Sequence, residues 1–441
     1  MAMNLRQYTP YLLLALSFAA CGSDEEDEKT MADKYGALAV AEDYDRPIES
    51  LVAEAPSVPL TDLAEGFALR MMNLANADNV DENVLVSPLS AALALGMTMN
   101  GANGETLDAM LTGLGYEGQS LKDVNSYLAS VSRSLAANDQ VTIELANSIW
   151  AREDYSPLKR SFYELVSEYY GADIFPLTGV DPINEWVADA THDKITNLLG
   201  DLPPGAALVL VNALYFNGTW LDPFDESDTQ PSDFRAPGGD VQADTMHITS
   251  EDIRYKRGLD YEAVAIPYED EHTSLYVVVP NDESLDAFSE SLLAGSSGGY
   301  YDWNWDTDSF EWVEDESETL FSGFLGGEVA LALPKFSFEF KRILDEDLNA
   351  LGMGIIFDSS AADFTNFAEG KAPWVATVVQ KTFIDVNEEG TEAAAATAVV
   401  MRDGAAATSY ELDVDRPFVF FVRDDDTGTI LFAGQVNDPT S

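Results

Sequence analysis

Hydrolytic chemistry has one formal candidate in this chain. Gly295-Ser296-Ser297-Gly298-Gly299 matches the G-x-S-x-G nucleophile elbow, which needs a strand before it and a helix after it to expose a strained serine. Here the pattern reads as a helix before and a Tyr/Trp/Asp loop after. A base would have to come from His192, His247 or His272, the only histidines, and none stands in a context that suggests a triad. His192, beside Asp193, reads as a surface residue after a helix. Ser297 is therefore expected in a loop, and the chain is not expected to be an enzyme. Asp302, Asn304, Asp306 and Asp308 have the spacing of a calcium loop, yet Thr307 stands where the glycine belongs and Val313 where the terminal glutamate belongs. No His/Cys/carboxylate cluster has zinc spacing. No metal and no cofactor are expected.

Cys21 is the only cysteine, so no internal disulfide can form. It follows Arg6 and the apolar run Tyr11–Ala20, which has the charge order and length of an export signal and is too short to span a bilayer. Its place directly after Ala19-Ala20 resembles a bacterial lipoprotein cleavage site, with Phe18 where an aliphatic residue is usual. The expectation is a signal peptide at 1–20, lipidation at Cys21, and an acidic, solvated tether at 21–59 ending in Pro56 and Pro59. Such a protein is exported, as a cell-envelope or cell-surface lipoprotein or else as a secreted one.

The stretch that carries most information runs from Val386 to Val400, where an acidic, Gly-punctuated start (Asn387, Glu388, Glu389, Gly390) leads into very small residues. Alanine is the best helix former, and Thr391 could cap a helix over 392–400. As a strand, the same residues place Thr391, Ala393, Ala395, Thr397 and Val399 on one face and Glu392, Ala394, Ala396 and Ala398 on the other. A strand so small on both faces can enter a packed sheet. A charged or bulky side chain on its buried face would cost about 1–3 kcal/mol or more.

The elements around it read as one domain of mixed class. A hydrophobic fraction of 46% and an aromatic fraction of 11% argue for a folded body. Of the chain's formal charge of −55 the segment 22–59 supplies only −8, so the body is itself acidic, which repels nucleic acid, anionic membranes and acidic polysaccharides and reads as adaptation to a saline environment. Helical spacing covers 63–75, 90–100, 106–111, 121–135, 157–170 and 182–199. Strands are expected at 84–86, 207–216, 261–267, 275–280, 329–340, 374–387 and 417–435. Helices followed by strands argue for an α+β class with mostly antiparallel sheets.

Five ordered motifs give these elements a likeness. Asn83-Val-Leu-Val-Ser-Pro-Leu-Ser90 with the Ala/Met-rich helix after it, Val211–Trp220 ending in Pro223-Phe224, Leu333-Pro-Lys-Phe336, Leu351-Gly-Met353 with Phe357 and Asp363-Phe364, and Arg416–Phe421 with Gly434 resemble the serpin family over residues 60–441. The resemblance implies the serpin fold, with a large central sheet A, about eight to nine helices and an exposed reactive-centre loop at 388–415. It implies a hinge at Glu388, Glu389, Gly390, Thr391, Glu392, Ala393, Ala394, Ala395 and Ala396. Trp220 and Lys335 match the breach where that loop inserts, Lys335 as partner of Glu388. Ser87, Ser90, Asn212 and Gln380 match the shutter, the polar cluster under the sheet centre. Gln380 is a departure from the family's usual histidine and cannot titrate. The segment between Pro280 and Pro334 is longer than usual, with an apparent insertion near 294–326.

The function implied is suicide inhibition of a serine protease by loop cleavage, acyl-enzyme trapping and strand insertion. Counting from Glu388 places the reactive bond at Gly404-Ala405, and counting back from Pro417 places it near Ala406. These small residues suit an elastase-like or subtilisin-like protease, whereas Arg402 would invite a trypsin-like one. A non-inhibitory serpin acting as a binding or carrier protein is the alternative. Its usual sign is charge, proline or bulk in the hinge, and 390–398 shows none apart from outward Glu392. The membrane is expected as a partner only through the lipid on Cys21, and no glycosaminoglycan is expected.

Overall fold

The computed structural model describes residues 34–41, 60–138, 140–281, 285, 288, 299–304, 309–314, 319–391 and 409–441. The signal segment, Cys21, hinge residues Glu392 to Ala396, Gly404, Ala405 and Ala406, Arg402, Ser296 and Ser297 lie outside them.

Helices dominate the first part of the domain. After α1 (Thr61–Asp78) and β1 (Val84–Val86), Ser87 accepts from the Ser90 amide and Pro88 opens α2 (Pro88–Met99), its missing N–H costing nothing at a helix start. Then come α3 (Gly104–Gly113), α4 (Leu121–Ala136), β2 (Thr142–Ala151), α5 (Arg160–Tyr170), β3 (Asp173–Pro176) and α6 (Asp181–Ala190). The last helix stops well short of residue 199. The Thr191 hydroxyl donates to the Val187 carbonyl and accepts from the Ile195 amide, and His192 and Asp193 adopt positive φ.

Strands follow: β4 (Leu208–Thr219), β5 (Gln230–Ala236), β6 (Gly239–Ser250), β7 (Arg254–Arg257), β8 (Tyr261–Pro267), β9 (Thr273–Pro280), β10 (Gly299–Asn304) and β11 (Ser309–Glu314). After them lie β12 (Glu328–Pro334), β13 (Phe336–Ile343), the short α7 (Asp345–Leu348), β14 (Val375–Val386), β15 (Gly390–Thr391), β16 (Ser409–Asp413), β17 (Phe418–Asp424) and β18 (Thr429–Val436). The run expected at 329–340 is two strands in different sheets with Lys335 between them, and the run at 417–435 is a hairpin. Gly299, the last residue of the G-x-S-x-G match, starts a strand, so the helix a nucleophile elbow requires does not follow it.

The strands form a six-stranded sheet (β13-β14-β15-β4-β2-β3), a second of six (β1-β18-β17-β9-β8-β7), one of four (β16-β12-β6-β5) and the β10-β11 hairpin. Pairing is mostly antiparallel; β2 with β3, β4 with β14 and β12 with β16 are parallel. All twelve residues of α2 are buried, and it lies between the large sheet, through β2 and β4, and β18 of the second. Its alanines, glycine and methionines let two sheets approach one helix. Among the described residues no helix is long and apolar enough to cross a membrane.

Candidate functional site

The large sheet has a seam. Strands β4 and β14 pair in parallel from Val375↔Leu208 to Gln380↔Asn212, although both strands continue well past that point, to Val386 and Thr219. At the far end β15 lies between them, antiparallel to both, with Thr391 opposite Val386 and Gly218 and Gly390 opposite Thr219.

Several residues hold that end in place. Asn387 makes the turn: its Oδ1 accepts from the Glu389 amide at 3.0 Å and the Gly390 amide at 3.3 Å. Trp220 is buried, its amide donating to the Glu389 carbonyl and its Nε1 to the Asn387 carbonyl, both at 2.9 Å. The Tyr268 ring stacks on Trp220 with centroids 4.6 Å apart, and its hydroxyl is 2.7 Å from Thr391 Oγ1. Gly390 is obligatory, because a Cβ there would lie 2.0 Å from the Gly218 carbonyl oxygen.

Glu388 ties the turn to two residues that flank other strands. Lys335 Nζ, at the β12–β13 pivot, is 2.8 Å from Glu388 Oε2, and the Thr229 hydroxyl donates to Oε1 at 2.7 Å. The Glu388 side chain is only 9% exposed, so this is not the open surface pair that its charge alone would suggest. Burial pushes the carboxyl up, but the bonds from Lys335 and Thr229 outweigh it and hold the carboxyl below its ordinary 4.5. The stabilisation is therefore complete above about pH 4.5 and is lost as pH falls through the depressed value. Lys335 is half-exposed, so Lys335→Ala is expected to cost about 1 kcal/mol at pH 7. In urea unfolding from pH 7 to 3, the gap between the two chains should close on the acid side; a constant gap would count against the pair.

Where the β4–β14 register ends sits a second cluster. Gln380 is buried, accepting from the Ser87 amide at 2.9 Å and donating through Nε2 to the Ser87 carbonyl at 2.8 Å and to Asn212 Oδ1 at 3.0 Å. Asn212 donates on to Asn147 at 2.8 Å, and Ser87 Oγ donates to the Leu431 carbonyl. Ser90 is buried beside it, its amide on Ser87 Oγ and its own hydroxyl without a partner among the described residues. This network ties both seam strands, β4 and β14, to the start of α2. Parting them breaks the Gln380–Asn212 bond.

Ser87, Ser90, Asn212 and Gln380 thus meet at the seam's centre, and Trp220, Lys335, Glu388, Glu389, Gly390 and Thr391 at its end. Sequence reasoning missed Asn147, Thr229, Tyr268 and Asn387. Asn387 carried a signal, an Asx residue two places before an amide it caps; the others lie far along the chain with no motif of their own. Among the described residues no group of three or more His, Cys, Asp or Glu is placed to hold a metal ion.

Comparison with known proteins places this architecture. The family model described as Serpin (serine protease inhibitor) matches residues 62–439. An uncharacterized serpin-like protein of Methanosarcina acetivorans is 29% identical over 371 residues, covering 82% of each chain. Iripin-3 of Ixodes ricinus is 33% identical over 395 residues, covering 86% of this chain and 94% of its own. The crystal structure of Serpin48, a highly specific serpin of the insect Tenebrio molitor, superposes with a TM-score of 0.73 at 28% identity, covering 89% of this chain and all of its own.

Proposed function

Because the chain belongs to the serpin family, which are serine protease inhibitors and not enzymes, we propose that it is a suicide-substrate inhibitor working through its own seam. One observation carries this reading: Gly390 and Thr391 already lie hydrogen-bonded between β4 and β14, antiparallel to both, while the pairing of those strands stops at Asn212 and Gln380. The first two residues of a new strand are in place, the stretch of β14 and β4 next to them carries no pairing between the two strands, and the pairs from Gln380–Asn212 to Val375–Leu208 are the ones that must part.

A serine protease attacking the loop acylates its own serine on the residue before the cut. The new loop end, carrying the ester-linked protease, then follows Thr391 into the seam. About ten new backbone hydrogen bonds at roughly 0.5–1.5 kcal/mol each give on the order of 10 kcal/mol, enough to deform an active site before water releases it. The small residues Gly404, Ala405 and Ala406 support an elastase-like or subtilisin-like target with a shallow specificity pocket. The acidic body supports a partner other than nucleic acid or an acidic polysaccharide. Export and a lipid on Cys21 rest on the N-terminal pattern alone.

The test mixes the protein lacking its first 21 residues with pancreatic elastase and with subtilisin. An SDS-stable complex, with mass spectrometry placing the cut between residues 403 and 407, is the expected result. Clean loop cleavage with no complex and no gain in thermal stability would overturn the reading and favour a carrier.

A further inference from the structure

The family model begins at residue 62, yet Lys34–Ala41, inside the segment expected to be solvated tether, is docked on the body. The segment is built for its place. Tyr35 is buried, edge-on to Trp150 of β2 (centroids 6.1 Å apart) and to Phe175 of β3 (5.7 Å). Its hydroxyl donates to Asp189 Oδ2 in the last turn of α6 at 2.5 Å, and Lys34 Nζ pairs with the same oxygen. Gly36 packs against Pro176, and Leu38 is buried. Backbone bonds from Leu158 to the Ala39 carbonyl (2.8 Å) and from Ala41 to the Leu158 carbonyl (2.9 Å) fix the other end.

What the strap holds is the cover of the seam. Ile183, Trp186 and Val187 of α6 share one apolar cluster with Tyr35, Trp150, Phe175, Val209 and Val211 of β4 and Val379 of β14. The segment after α6 reaches β14, where Lys381 Nζ donates to the Thr196 carbonyl at 3.0 Å and Lys194 Nζ sits 5.5 Å from the centre of the Phe383 ring. A strand growing from Thr391 down the seam must pass beneath this cover, so the end of α6 has to lift while it passes. Asp189 lies two residues before Thr191, where the crossing segment begins.

We propose that residues 34–41 are a strap that gates strand insertion by holding down the C-terminal end of α6. The inference rests on the insertion reading above. Because α6 must lift against the Tyr35 and Lys34 contacts for a strand to pass, the strap raises the barrier to insertion. Its removal speeds insertion.

The experiment needs no protease. The full chain, Tyr35→Ala and Tyr35→Phe are each incubated with a synthetic peptide matching residues 391–404, and conversion to a form that resists thermal unfolding is followed in time. Tyr35→Ala should convert on the order of tenfold faster, with Tyr35→Phe, which loses only the bond to Asp189, between it and the parent. Equal rates in all three overturn the strap while leaving insertion intact. If no chain accepts the peptide, the insertion reading falls and the gate with it.

Discussion

On the mechanism proposed above, Gly390→Ala is expected to turn the protein from an inhibitor into a substrate, although alanine is the commonest residue in the segment that follows. The Cβ it adds would lie 2.0 Å from the Gly218 carbonyl oxygen and 2.9 Å from the Thr219 Cα, both backbone atoms of a central strand that cannot give way. The turn at Asn387 and the first two pairings of β15 must then be abandoned. Trapping is a race between insertion and deacylation, so a slower start lets the protease finish. Titration should show the number of chains consumed per protease inhibited rising by on the order of tenfold, with the loop cut at the same bond. An unchanged titration endpoint would mean that insertion does not begin with Gly390 seated against Gly218.

Gln380→Leu is the second large effect. The substitution keeps the volume but strands the Ser87 amide, the Ser87 carbonyl and Asn212 Oδ1 inside the protein, each at about 1–3 kcal/mol. A combined loss of about 3–5 kcal/mol, read as a lower thermal midpoint and faster acceptance of an added loop peptide, is the expected outcome. Gln380→His can restore the acceptance from the Ser87 amide and one of the two donations, and only while the imidazole is neutral. Its imidazolium could not accept from the Ser87 amide, so the folded-state pKa would lie below the free value of about 6.5, and stability would fall as pH drops below that value. The natural chain, with an amide there, should show no such step between pH 7 and 5.

Much of this was legible in the sequence because it is local. The Gly-punctuated turn into β15, the Ser-Pro start of α2 and the ordered motifs depend on neighbours a few residues apart. The helices at 121–135 and 63–75 likewise follow from spacing. What was missed depends on partners brought together by the fold. Strand β2 carries Glu144, Asn147 and Ser148, too polar for a central strand by composition, yet Asn147 is the last link of the network under the seam. Lys335 looked like a point inside one strand, but it is the pivot where the chain leaves the four-stranded sheet for the six-stranded one, and this is what brings its ammonium to Glu388. The strap at 34–41 gave no signal because its apolar residues, Tyr35 and Leu38, are few and find their pockets on β2, β3 and α6.

The two ends of the loop are fastened to different sheets. Thr391 belongs to the six-stranded sheet, whereas Ser409 starts β16, which pairs with β12 in the four-stranded one from Glu328↔Ser409 to Ala332↔Asp413. While residues 392–408 remain one unbroken chain, the loop cannot run the length of the seam without peeling β16 off its sheet. On the proposed mechanism covalent continuity is the safety catch, and a peptidase that cuts within those residues releases it. Selectivity then lies in which bond is cut first: an early cut yields a strand too short to carry its captor the full distance, and the molecule is spent without a prisoner.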